Sequence, residues 1–89
     1  MLSFAAKQEN KVVKTEWQTA SEINADYFVV ERSIDGLLYD FLGDVPASGN
    51  SSTLKNYEFM DSLAYPGVNY YRLKQFLFRS TQVELMSCN

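Results

Sequence analysis

Apolar and polar residues alternate with period two along most of this chain, and turn-forming residues interrupt the alternation at short intervals. Period two sends successive side chains to opposite faces of an extended strand, so each segment has one face suited to a core. Leu2, Phe4 and Ala6 alternate with Ser3, Ala5 and Lys7 and predict a first strand. Val13, Thr15 and Trp17 alternate with Lys14 and Glu16 in a second, whose charges would face water. Thr19 to Asp26 is polar and reads as a loop, with one helical turn at most. Tyr27 to Ser33 predicts a third strand with Phe28 and Val30 inward, followed by a tight turn at Ile34-Asp35-Gly36. Leu38 to Val45 is the return strand, and Pro46 to Thr53, rich in Gly, Ser and Asn, reads as the most flexible segment. Tyr57 and Phe59 alternate with Glu58 in a fifth strand, and Tyr65-Pro66-Gly67 signals a turn by preset and positive φ. Asn69 to Phe78 predicts a sixth strand with Tyr71 and Leu73 inward, and Gln82 to Cys88 a closing one. No window sustains the i, i+3, i+4, i+7 spacing of a helix. The pattern predicts an all-β, seven-stranded antiparallel sandwich.

Composition narrows the chemistry. The 89 residues suit one domain over 1–89, with six Phe, six Tyr and Trp17 to build its core. The net charge is -3 and the eight Lys and Arg are scattered, whereas phosphate-backbone binding needs them clustered; nucleic acid is not expected as a partner. No apolar run is long enough to cross a bilayer, and Met1 to Lys7 lacks the basic and apolar regions of a signal peptide. Cys88 is the only cysteine, which rules out an internal disulfide.

The chain has no histidine, which removes the commonest general base and transition-metal ligand and, with them, a Ser-His-Asp triad. One cysteine cannot make a structural zinc site. A glycosidase-like carboxylate pair would need a cleft that a sandwich this small rarely provides. Asp35, Asp40, Asp44 and Asp61 lie in or near turns and offer oxygen ligands for calcium, but without the spacing of an EF-hand loop. The expectation is a non-enzyme with no cofactor and no metal, its aspartates solvated or turn-forming. Asn50-Ser51-Ser52 matches a glycosylation sequon that loop composition explains equally well.

Trp17-Gln18-Thr19-Ala20-Ser21-Glu22-Ile23-Asn24, then Asp26-Tyr27-Phe28 and Val30-Glu31-Arg32-Ser33, form a distinctive ordered set. Asp35-Gly36, Gly49-Asn50-Ser51, and Gly67 with Asn69-Tyr70-Tyr71-Arg72-Leu73-Lys74-Gln75 continue it. In that order and spacing the chain resembles the fibronectin type III-like modules of exported Bacteroidetes proteins, which precede a type IX secretion sorting domain. The resemblance runs from about Leu2 to Gln75. It departs at Phe76-Leu77-Phe78-Arg79-Ser80-Thr81, where the family has an acidic, glycine-containing turn and a Tyr-Ser strand. Either the last hairpin is rebuilt or the chain stops where another domain would begin.

The resemblance implies an immunoglobulin-like sandwich, a fragment of a larger secreted or cell-surface protein, with neighbouring domains as its partners and no catalytic residues. Its role would be that of a structural spacer or accessory module. Phe4, Val13, Trp17, Phe28, Val30, Tyr57, Phe59, Tyr71 and Leu73 are the expected core. Tyr71, in phase with Leu73, is the candidate for a tyrosine corner with its hydroxyl bonded to backbone, leaving Tyr70 outside with Arg72. The alternative role is adhesion, with polysaccharide or a surface protein held by exposed Tyr27, Tyr39, Tyr65 and Tyr70. A coplanar exposed pair would favour binding, and isolated rings the spacer. Weak self-association through a terminal edge strand is a third expectation.

Overall fold

The computed structural model describes residues 3–64, 69–78 and 81–88, the last stretch by its backbone. All its regular elements are strands: β1 (Ser3–Glu9), β2 (Val12–Thr19), β3 (Glu22–Ser33), β4 (Asp40–Ser51), β5 (Lys55–Asp61), β6 (Tyr70–Leu77) and β7 (Thr81–Cys88). They form two antiparallel sheets, one ordered β1-β2-β5 and the other β4-β3-β6-β7. The architecture is a β-sandwich.

The alternation along β2 shows why. Val13, Thr15, Trp17 and Thr19 are buried while Val12, Lys14, Glu16 and Gln18 are only partly so. From the facing sheet Phe28, Val30, Tyr71 and Leu73 point back at them, and together with Phe4 these residues make one buried cluster. Tyr57, Phe59, Leu42 and Val45 pack around its margin, half-buried. Trp17 sits at the centre, 1% exposed, edge-on to Phe28 across the sheets at 5.5 Å and stacked on Tyr57 at 5.7 Å. Phe4 closes the other side at 6.2 Å. Such aromatic contacts add about 0.5–1.5 kcal/mol each beyond the area they bury. The Trp17 indole N–H is buried without a hydrogen-bond partner among the described groups.

Two strands extend further than the sequence pattern predicts. β3 starts at Glu22, inside the stretch read as a loop. Asn24 takes φ +53°, an irregularity that Asn tolerates, and it breaks the alternation enough to hide the strand. β4 runs on to Ser51, through the segment read as most flexible. Pro46 is tolerated because β4 is an edge strand, and Gly49 at φ +75° provides a kink beside Ala25. Gly43, also on β4, is needed for closeness: a Cβ there would lie 2.6 Å from the Phe59 ring of the facing sheet.

The strand directions define two poles. β1 starts beside the end of β2, with Ser3 opposite Gln18, near Glu22. β7 ends with Cys88 opposite Tyr71, near Asp61 at the other pole. The longest dimension, 38 Å, is close to the ~40 Å that a twelve-residue strand spans.

Candidate functional site

Three features could carry function: the outer face of the β3 sheet with its tyrosines, and a buried carboxylate near each pole. On the outer face, β3 and β6 pair Tyr27 with Phe76, Val29 with Lys74, and Glu31 with Arg72. Cross-strand partners on one face stand about 5 Å apart, so rings and charges there meet each other first. Tyr27 and Phe76 stack with centroids 4.9 Å apart and planes 8° from parallel. Arg72 Nε donates to Glu31 Oε1 at 2.7 Å, and Lys74 Nζ stands 3.3 Å from Glu31 Oε2. The Arg72 guanidinium lies 4.1 Å above the Tyr39 ring, a cation–π contact. Tyr70, partly buried, covers Gly36, whose Cβ position is 3.7 Å from the ring.

The described ones among the tyrosines proposed as contacts are therefore engaged separately. Tyr27, Tyr39 and Tyr70 each give a ring face to a different neighbour, and Tyr65 lies outside the described residues. A sugar-binding platform needs ring faces open side by side. The stacked pair is not that arrangement.

Near one pole Glu22 is 3% exposed. Thr19 Oγ1 and Tyr57 OH, both from the β2 sheet, donate to its Oε2 at 2.7 and 2.5 Å. Ser48 N donates to Oε1 at 2.8 Å, and Ser48 Oγ lies 2.7 Å from Tyr57 OH. Burial pushes the Glu22 carboxyl upward, but the donors Tyr57, Thr19 and Ser48 outweigh it and hold it below the usual glutamate range. Burial, and then the Glu22 carboxylate, pushes the Tyr57 hydroxyl above the usual tyrosine range.

Near the other pole Asp61, 3% exposed, accepts Arg32 Nη1 at 2.8 Å on both oxygens. Tyr71 OH donates to Oδ2 at 2.8 Å and the Leu63 amide to Oδ1 at 3.1 Å. Arg32 Nη1 also donates to the Leu63 carbonyl at 3.1 Å. Tyr71 is thus the inward tyrosine, and its described partner is a carboxylate of the opposite sheet. Asp61, grouped in the sequence reading with solvated or turn aspartates, is instead buried and paired.

Asp35 is the turn aspartate. Its Oδ1 accepts the Leu37 and Leu38 amides at 2.8 and 3.1 Å and the Ser33 hydroxyl at 2.8 Å. Those two amides, then the hydroxyl, hold its carboxyl below the usual range. Among the described residues no group of three or more His, Cys, Asp or Glu could hold a metal ion. Each buried carboxylate accepts donors from the facing sheet, and Glu22 also lines an open surface depression with Ile23, Asn50, Ser51 and Ser52. Comparison with protein-family models, with curated proteins and with solved structures finds no match for this chain.

Proposed function

We propose that this chain is a seven-stranded, fibronectin type III-like sandwich serving as a non-catalytic spacer module of an exported or cell-surface multidomain protein. The grouping of the first, second and fifth strands against the third, sixth and seventh supports the fold, since immunoglobulin-like sandwiches divide their strands this way. The observation that carries the role is end-to-end geometry. The first strand starts at one pole and the last ends at the other of a body 38 Å long, so a polypeptide threaded through it gains a rigid separation. The occupied tyrosine faces fit that role better than adhesion to a polysaccharide.

The test is a binding screen of the folded chain against a panel of polysaccharides, by affinity electrophoresis and calorimetry. The expected outcome is no saturable binding. Binding that weakens in Tyr39→Ala or Tyr70→Ala, with the variants still folded, would replace the spacer by a carbohydrate-binding module.

A further inference from the structure

β4 and β5 lie along one flank of the sandwich, each the outer strand of its sheet, and their edges are built differently. β4 carries Gly43, Pro46 and Gly49 and three irregularities in its register with β3. Such features twist or interrupt an edge and keep further strands from pairing with it. β5 has none of them. It pairs residue for residue with β2 from Lys55 to Asp61, and among the described strands β2 is its only hydrogen-bonded neighbour. Alternate residues of an antiparallel edge strand turn their N–H and C=O groups away from the sheet, so β5 is a regular template for one more strand.

The core is also less closed on this flank. Tyr57 and Phe59 point inward from β5 yet stay half-buried, as do Leu42, Val45 and Ala47 of β4. At the other edge of the same sheet Phe4 of β1 is 8% exposed, with β7 alongside.

We propose that β5 pairs antiparallel with β5 of a second copy about a two-fold axis, joining two three-stranded sheets into one of six. The identity of the occupant follows from what each register sets opposite what. Inward residues must meet inward residues, so the axis passes beside a single residue near the middle of the strand. Centred on Tyr57, the pairing sets Leu54 against Met60, Lys55 against Phe59 and Asn56 against Glu58, each of them twice. Leu54 and Met60, 53% and 45% exposed, gain an apolar partner. The Lys55 stem lies along a ring. Asn56 Oδ1 already accepts Gln18 Nε2 at 2.7 Å, so the group that Asn56 offers across the axis is an N–H donor, and the group it meets is a carboxylate. No like charges stand opposite each other. Centring on Glu58 would oppose that carboxylate to itself, and centring on Phe59 would carry Lys55 and Asn56 past the end of the partner strand. A second copy therefore supplies a complementary strand in one register only. A strand-to-strand contact of this length buries less than the ~1,200 Å² total of a standard interface, so the dimer is a weak one. The inference goes beyond the spacer reading, does not rest on it, and uses an internal strand of the chain rather than a terminal one.

The experiment is sedimentation velocity and amide hydrogen exchange on the 89-residue chain, with reductant present to keep Cys88 from cross-linking. Concentration is raised from about 10 μM to about 1 mM, the range in which weak complexes populate. The mass should climb toward twice that of the monomer, and exchange of β5 amides should slow with concentration while that of β4 amides stays constant. Asn56 is exposed, so its variants should keep the fold, which melting curves check. Asn56→Glu opposes carboxylates at both Glu58 positions and should weaken association about tenfold, whereas Asn56→Lys pairs with them and should strengthen it about threefold, more at low salt. A folded chain that stays monomeric at every concentration would overturn the proposal. So would association that the two variants shift in the same direction or not at all, or protection that falls outside β5, since the contact would then use another surface. None of these results bears on the spacer reading, which the polysaccharide screen tests separately.

Discussion

At one end of the sandwich the Glu22 carboxylate is held by two hydroxyls and an amide, all neutral; at the other, the Asp61 carboxylate is held by a guanidinium, a hydroxyl and an amide. Both are almost fully buried, and both receive donors from the facing sheet. The difference lies in what each end costs when a partner is lost. At the Glu22 end, each donor removed leaves two others and one buried charge unchanged in number. At the Asp61 end, removing Arg32 turns a compensated pair into a lone buried anion, which is the more expensive state. Arg32 also grips the Leu63 carbonyl, so the ionic end fixes a loop as well as joining the sheets.

Arg32→Met should therefore give the largest effect, a loss of about 3–5 kcal/mol in urea unfolding, the cost of breaking a buried pair by removing one partner. Trp17→Ala, which empties the apolar middle, sets a yardstick of the same size, about 3–5 kcal/mol. The comparison sharpens with the double variant Arg32→Met, Asp61→Leu, which removes both charges and should recover part of the loss. A double variant less stable than Arg32→Met alone would show that Asp61 is well satisfied without Arg32, and the ionic account of that end would fail.

A smaller contrast separates the two tyrosines. Tyr71→Phe and Tyr57→Phe each delete one hydrogen bond to a carboxylate, and a bond to a charged group is worth about 1.5–3 kcal/mol. Tyr71 is 1% exposed whereas Tyr57 is only half-buried, so water can reach the Glu22 end and replace the lost donor there. Tyr71→Phe should fall near the top of that range and Tyr57→Phe near the bottom. Equal losses by thermal and urea unfolding would show that the two ends are equally closed to water.

The inward faces of the sandwich were legible because Phe4, Val13, Trp17, Phe28, Val30, Tyr71 and Leu73 keep strict alternation and one apolar character. The polar ends were not, for reasons that differ. Asp61 and Arg32 continue the inward phase of Tyr57-Phe59 and Phe28-Val30, so period two did mark them as opposite charges facing a core. Their residue types argued for solvent and masked that signal. Glu22 gave less to read, since the Asn24 irregularity and polar neighbours hide its strand, and its partner Tyr57 lies 35 residues away. The use of the tyrosine faces was not legible at all, because the neighbour of each ring is set by sheet register and loop path.

The smallest prediction bears on the sign of the neutral end. Glu22 binds a proton less readily in the folded chain than the ordinary glutamate value of 4.5, despite its burial. As pH falls, the unfolded chain takes up its proton first, and stability drops. The contribution of Glu22 is therefore whole above about pH 4.5 and is lost as pH falls through its lower folded value. Glu22→Gln cannot titrate, so the stability gap between the wild type and this variant should be constant at neutral pH and narrow on acidification below 4.5. Asp35, also depressed, adds its own acid loss to both proteins and cancels in the difference. The opposite trend, a gap that widens as pH falls, would mean that burial outweighs the three donors. Glu22 would then be a strained anion relieved by protonation, and the neutral end would be the weaker of the two.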